Sequence, residues 1–432
     1  MDDEVKISKV AVIGLGYVGI ATAVGLGQLG HKVVGYDIDS SRTETLSRGE
    51  PPIHEEGLEQ KLAELTDNGA VSFTDNYQVV SEFEADFFFV CVPTPQDPSG
   101  AANLTFVFDA AKDLARIASA DSIMVLKSTA PLGSGEAVAQ ALSRTDVHVA
   151  SNPEFLREGT AIRDFMNPDH IVVGAKSADI SSRVLGLYRK IATRKIATSI
   201  ESAELIKYST NAYLAMRLSF VNDLAALCER VGGRFDDLVE GLGSDSRIGS
   251  SFLSPGPGWG GSCFPKDTRA LLSVASDFGM GLPLVEASLE SNEETMSRVV
   301  EKTKGLAGGS LEGKTIGVWG LAFKANTDDI RESPAMSIVT RLLDRGSKVQ
   351  AFDPVAIAPY REGFSQVSSP EQAAEGADVL VVLTEWSEFA EVDPNAVSML
   401  MQRSAVLDFR RVLPAKKWES AFEQFSVVGG LA

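Results

Sequence analysis

The stretch "KVAVIGLGYVGIATAVGLGQLGHKVVGYDID", residues 9–39, decides the fold. It runs from an apolar segment through a glycine turn and a small-residue stretch at helical spacing to a second apolar segment ending in Asp37. That succession is a strand, a helix and a parallel strand carrying a dinucleotide fingerprint. Gly14 suits the tight turn, Gly16 lets a pyrophosphate approach the backbone, and Gly19 lets the helix pack close to the strand. Tyr17 and Val18 lie between them, at the helix N-terminus, where unpaired N–H groups favour an anion. Asp37 stands where an acid accepts from a ribose 2′-hydroxyl and repels a 2′-phosphate, so the expected cofactor is NAD rather than NADP. A glycine turn without a ligand is the plain alternative for so short a motif.

Further apolar runs follow at 85–95, 122–129, 147–155 and 170–174, separated by helical stretches. Near-continuous apolar strands alternating with helices predict a doubly wound, parallel α/β sheet covered on both faces. Ligands of such sheets lie beyond the C-terminal strand ends. Here those ends read "PTP", "KST" and "NPEF", which brings Thr94, Thr129 and Glu154 into consideration, with turn chemistry as the alternative role.

Composition bounds the rest. At 432 residues the chain exceeds one hydrophobic core and predicts two or three domains. Hydrophobic residues make up 44% and charged residues 23%, as in soluble globular proteins, and no apolar run reaches the roughly 20 residues that span a bilayer. The start, "MDDEVKISKV", lacks a basic then apolar leader, so a cytoplasmic protein is expected. Lys plus Arg total 40 against 59 for Asp plus Glu, a formal charge of −19, which opposes nucleic acid and anionic membranes as partners. Three cysteines without paired spacing and only four histidines give no readable metal site or Ser-His-Asp triad.

From about residue 202 the pattern becomes one long helix, "ESAELIKYSTNAYLAMRLSFVNDLAALCERVG". Lys207 and Asn211 are four apart and share a face, with Asn222 further along the same stripe. A lysine snorkelling at a helix boundary is the plain reading of Lys207. The helix suits a spine joining domains and a dimer seam. Next comes "PGPGWGGSCFPKD", residues 255–267, a bent loop around Cys263 with Asp267 four positions on; packing, metal binding and nucleophilic catalysis are all open to that thiol.

The segment "KTIGVWGLAFKANTDDIRESPAMSIVTRLLDRGSKVQAFDP", from residue 314, repeats the opening plan, with "AFD" at Asp353 answering "GYD" at Asp37. Its turn lacks the pyrophosphate glycines and inserts Phe323 and Lys324. A second Rossmann-like domain without dinucleotide binding is expected, holding a second phosphorylated ligand, with Lys324 and Arg331 available for charge. The expected fold is thus two Rossmann-like, doubly wound parallel-sheet domains joined by a long central helix.

Seven motifs, "GLGYVG", "VPTP", "KSTAPLGS", "NPEFLREGTAIRDF", "KYSTNAYLA", "GPGWGGSCFPKD" and "GLAFKANTDDIRESPA", resemble in order and spacing the signatures of the nucleotide-sugar 6-dehydrogenases, the UDP-glucose/GDP-mannose dehydrogenase family. The resemblance implies a four-electron oxidation of a sugar 6-hydroxyl to a carboxylate with two NAD, and a homodimer. It divides the chain into an NAD-binding domain (1–200), a central helical dimerisation region with the cysteine loop (201–308) and a UDP-sugar-binding domain (309–432). It makes Cys263 the nucleophile that forms a thiohemiacetal and then a thioester. It gives Lys207 and Asn211 the oxyanion, Asp267 water or Lys207, and Glu154 with Thr129 a catalytic water. By the same resemblance Phe155, Leu156, Phe252, Gly260, Phe323, Lys324 and, from a partner subunit, Arg247 contact the sugar nucleotide. Asp37, Thr94, Thr129, Glu158 and Arg331 lie near NAD.

Ser262 and Phe264 beside Cys263 favour UDP-glucose over GDP-mannose or a UDP-N-acetylhexosamine within that family. His54, Glu56, His170, Arg217 and Asp223 depart from residues common in relatives. A two-electron hydroxyacid dehydrogenase would need neither Cys263 nor the second Rossmann-like half. An NAD-sensing protein with a dead site would have no use for an intact set of Cys263, Lys207, Asn211 and Asp267.

Overall fold

Near-continuous runs such as "KVAVI" and "FFFV" form strands because β-branched and aromatic side chains pack on both faces of a covered sheet. The computed structural model describes residues 7–53, 55, 57–95 and 102–430; His54 and Glu56 lie outside the described residues. The chain divides into two compact units, one ending at Thr210 and the other starting at Asn211.

The first unit holds β1 (Lys9–Ile13), β2 (Lys32–Tyr36), β3 (Val71–Thr74), β4 (Phe87–Val90), β5 (Ile123–Leu126), β6 (His148–Ser151), β7 (His170–Ala175) and β8 (Arg194–Thr198). Their spatial order is β3-β2-β1-β4-β5-β6-β7-β8. The first six reproduce the 3-2-1-4-5-6 order of dinucleotide-binding sheets. Val12 lies opposite Gly35 on one side and Phe89 on the other, both in parallel register. Successive side chains alternate faces: Val10 and Val12 join one buried cluster with Leu26 and Phe165, while Ala11 and Ile13 join another with Val107 and Leu114. Each buried aliphatic side chain contributes about 1.5–3 kcal/mol. The helix Tyr17–Gln28 approaches closely because its residues are small; a Cβ at Gly25 would fall 2.2 Å from the Phe165 ring.

One pairing differs from the expected all-parallel run: β7 is antiparallel to β6, Ala150 facing Ala175, while β8 is parallel to β7. An antiparallel neighbour needs no crossover along the sheet face. The connection 152–169 therefore leaves and re-enters at the C-terminal end of β6, which keeps Glu154 to Glu158 at the edge where ligands of such sheets bind.

The second unit carries β9 (Thr315–Trp319), β10 (Lys348–Phe352), β11 (Phe364–Gln366), β12 (Val379–Val382), β13 (Ala405–Asp408) and β14 (Gln424–Val427). Their order, β11-β10-β9-β12-β13-β14, repeats the first sheet, and every pairing is parallel. The long helix spans Ile200–Val231, with Glu201 in its first turn and Arg230 in its last, each complementing the helix dipole. From Asn211 onward it belongs to the second unit, where Val221, Ala225 and Cys228 enter one core with Val299 and Ile316. Among the described residues no helix is long and apolar enough to cross a membrane.

Candidate active site

In the first unit, the C-terminal strand ends collect the glycine turn, Asp37, Thr94, Lys127 to Thr129, and Asn152 to Glu154. Gly14 takes φ +90° and donates its N–H to Tyr36 O at 2.8 Å. The left-handed backbone requires glycine there. A Cβ at Gly16 would meet nothing within 4 Å, and the helix Tyr17–Gln28 has no side-chain cap. Open space beside uncapped N–H groups fits a pyrophosphate. Asp37 accepts from Leu15 N–H at 2.7 Å, Asp39 N–H at 3.0 Å and Arg42 at 3.1 Å. A carboxylate offers about four acceptor positions, so one remains for a ribose hydroxyl. These residues fit NAD.

Neighbouring loops interlock. Thr94 Oγ1 donates to Thr129 O at 2.8 Å, and Ser128 Oγ to Val92 O at 2.6 Å. The Tyr17 hydroxyl donates to Arg157 O at 3.2 Å and accepts from Gly159 N–H at 2.9 Å, which ties the fingerprint to the loop holding half-buried Glu158. Val18 is half-buried beside it.

Lys207 does not snorkel. It is 4% exposed and its Nζ donates to Glu154 Oε1 at 2.8 Å. Glu154 also accepts from Leu156 N–H at 2.6 Å. Burial pushes the Glu154 carboxyl up, but Lys207, the Leu156 N–H and the Lys127 charge outweigh it and hold the group below its ordinary range. The Phe155 ring lies 5.5 Å from Lys207 Nζ and packs at a tilt against His170, ring centroids 4.6 Å apart, giving that departure a packing partner.

Two groups here escaped the sequence reading. Lys127, in the quoted "KST", is buried with its Nζ 3.3 Å from Asn152 Oδ1; its signal was a charge closing an apolar strand. Glu204, one turn before Lys207, accepts from Gly133 N–H at 2.8 Å and Gly135 N–H at 2.9 Å. It thereby closes the N-terminus of helix Ser134–Leu142, below the loop of Thr129. Burial pushes its carboxyl up to about 7 against the pull of those two donors.

In the second unit, Cys263 is half-buried at the N-terminus of helix Phe264–Asp277, its sulfur 3.6 Å from Ser262 Oγ. The positive end of a helix dipole favours an anion at that place. Asp267, one turn in, is fully buried and accepts from Asn211 Nδ2 at 2.6 Å and Lys266 Nζ at 2.6 Å. The preceding loop is held by side chains. Asn222 accepts Gly256 N–H at 2.8 Å, so this member of the helix stripe is a staple. Asn292 bonds both Trp259 N–H at 2.8 Å and Trp259 O at 3.0 Å, while the indole donates to Ser219 Oγ at 2.9 Å.

A Cβ at buried Gly260 would fall 2.0 Å from Glu332 O, and Gly261, at φ +84°, runs against the Phe323 ring. Lys324 Nζ stands 5.6 Å from that ring. Phe252, half-buried, holds φ +57°, a strained conformation for a non-glycine residue. Two expected ligand cations carry local ion pairs: Arg247 forks onto Asp245, and Arg331 onto Asp329. The other departures are also engaged, Arg217 with Ile248 O and Gly249 O, and Asp223 with Ser291 and Arg298. Among the described residues no cluster of His, Cys, Asp and Glu could hold a metal ion.

A 3-2-1-4-5-6 sheet with an open glycine fingerprint, an acceptor position left open on the acid that closes its second strand and a buried Lys–Glu pair defines an NAD-dependent oxidoreductase. Comparison with known proteins agrees. Residues 8–192 match the NAD binding domain of the UDP-glucose/GDP-mannose dehydrogenase family, 201–294 its central domain and 317–415 its UDP binding domain. A UDP-glucose 6-dehydrogenase of Rhizobium meliloti is 40% identical over 94% of this chain and 95% of that protein. The UDP-glucose 6-dehydrogenase TuaD of Bacillus subtilis is 38% identical over 98% and 93%. A UDP-glucose dehydrogenase structure from Pyrobaculum islandicum superposes with a TM-score of 0.91 at 35% identity, covering 100% of both chains. The chain belongs to the UDP-glucose/GDP-mannose dehydrogenase family.

Proposed function

We propose that this protein oxidises UDP-glucose to UDP-glucuronate, with Cys263 as nucleophile and two NAD reduced per sugar. The observation that carries the reading is a half-buried thiol at a helix N-terminus, one turn before a buried Asp267 bonded to Asn211. Bound NAD, held by Gly14, Gly16, Gly19 and Asp37, supplies the hydride acceptor for each oxidation. Lys207, paired with Glu154, takes part in proton transfer from the 6-hydroxyl and with Asn211 stabilises oxyanions. An aldehyde has no hydride to give at the carboxylate level until a nucleophile adds, and Cys263 adds to form a thiohemiacetal. Its oxidation leaves a thioester. Water, oriented by Glu154 and Thr129 and assisted by Asp267, cleaves it and restores the thiol.

UDP-glucose is favoured because the curated relatives at 38–40% identity bear the name UDP-glucose 6-dehydrogenase. The test counts NADH per sugar consumed with UDP-glucose, GDP-mannose and a UDP-N-acetylhexosamine. Two NADH per UDP-glucose is the expected result; one, or none, rejects the reading.

The active form is a homodimer, with Arg247 reaching a partner's site, and it works in the cytoplasm. Tyr213, Phe220 and Leu227, seven residues apart, are 57%, 57% and 53% exposed on one face of the long helix. A second copy would bury that face. Sedimentation of Phe220→Glu should show a monomer where the parent protein sediments as a dimer.

A further inference from the structure

Lys127 is a buried ammonium to which the chemistry above gives no task. It is 5% exposed at the end of β5. No carboxylate lies within 4 Å of it among the described residues, whereas nearby Lys207 has Glu154 at 2.8 Å. A buried charge with so little compensation is costly and is kept where it acts. Its position is enforced: Nζ donates to Asn152 Oδ1, the Tyr188 hydroxyl donates to that same oxygen at 2.6 Å, and Asn152 Nδ2 donates to Val172 O at 2.8 Å. The Tyr188 ring lies 5.9 Å beneath the ammonium. A small cavity, about 40 Å³, is lined by Lys127, Asn152, Glu154 and Tyr188 together, so the lysine and the carboxylate face one space. A volume of that size admits a water molecule.

We infer that Lys127 is a positioning residue whose charge, aimed by Asn152 and Tyr188, keeps Glu154 ionised and ready to orient the hydrolytic water. The inference rests on the reading of Glu154 given above. Burial pushes the Lys127 ammonium down to about 8, with Glu154 and Cys91 pulling it back up, so it remains charged at neutral pH. The other titratable groups around Glu154 do not replace it. Lys207 is its direct partner, Asp164 is bonded to Arg157, His170 packs against the Phe155 ring, and burial pushes the Cys91 thiol to about 12 and the Tyr188 phenol upward.

The test is the pH profile of UDP-glucose oxidation in Lys127→Met and in Lys127→Gln, which keeps a donor for Asn152 but not the charge. In both, the acid limb of kcat should move up by about half a pH unit, a roughly threefold loss on that limb, with KM for UDP-glucose unchanged. Lys127→Arg should bring the limb back. In a Glu154→Gln background the Lys127 substitutions should cost nothing further. A parent-like acid limb in either folded neutral variant overturns the assignment, and so does a fully additive loss in the double variant. If Glu154→Gln itself turns over at the parent rate, the role of Glu154 fails first. If Glu154→Gln is slow and the Lys127 variants match the parent, only the inference about Lys127 falls.

Discussion

Gly14-Leu15-Gly16 and Gly320-Leu321-Ala322 follow the first strands of the two sheets, and their backbones start alike. Gly14 and Gly320 take φ +90° and +91°, and each donates its N–H at 2.8 Å to the last residue of the second strand, Tyr36 or Phe352. The acids that close those strands then diverge. Asp37 accepts three hydrogen bonds, one of them from the half-exposed Arg42. Asp353 accepts from Leu321, Ala322, Val355 and Ala356 N–H and from the Trp386 indole. Five donors fill a carboxylate and leave nothing for a ribose.

The helices diverge too. Tyr17–Gln28 starts at the turn without a side-chain cap, whereas Pro334–Leu343 starts later under Ser333, whose hydroxyl also donates to Leu321 O. An acid at the end of the second strand is therefore no ribose ligand by itself. The number of donors already committed to it decides whether an acceptor position stays open.

The largest effect is expected when each acid is removed in turn. Asp353→Ala strands five donors, most of them buried, and should cost about 3 kcal/mol or more in urea unfolding, while Asp37→Ala should cost about 1 kcal/mol and weaken NAD binding. Equal losses would dissolve the distinction.

A smaller effect is expected where the first unit closes an uncapped helix with a carboxylate from elsewhere. Glu204, ordinarily near 4.5, is pushed up to about 7, so its contribution to stability is complete below 4.5 and lost as pH rises through 7. Thermal unfolding at pH 5, 6.5 and 8 should show the parent losing about 1–3 kcal/mol relative to Glu204→Gln over that range. A constant gap would remove the carboxylate's burial as the cause. The smallest effect belongs to Ala322→Gly, which restores the missing glycine. It should cost about 0.5–1 kcal/mol and confer no second NAD site in calorimetric titration, because Asp353 stays saturated.

Much of this was legible in the residues, and the omissions have a common cause. The interior strands of both sheets stand out as apolar runs because helices cover both of their faces. The strands that no such run announced, β3, β8, β11 and β14, are the four sheet edges; "RKIAT" in β8 is mostly exposed or half-exposed. The reversed direction of β7 was invisible because "HIVVGA" reads the same whichever way it pairs. In the site, the fingerprint and the cysteine loop were local and readable. Lys207 looked like a boundary lysine because its partner, Glu154, is 53 residues away in sequence. Arg247 and Arg331, read as ligand cations, each also pair with an aspartate two residues earlier, a local contact that the spacing made foreseeable.

The asparagine that bonds both backbone groups of Trp259 has a consequence for how the cysteine loop opens. Asn292 stands on helix Pro283–Leu306, so the Trp259 amide proton is held by an element of the core although its own segment is neither strand nor helix. Such a proton exchanges with solvent when the core opens rather than when a loop breathes. In exchange terms, the approach to Cys263 belongs to the slow core of the protein, and its irregular shape is a fixed one.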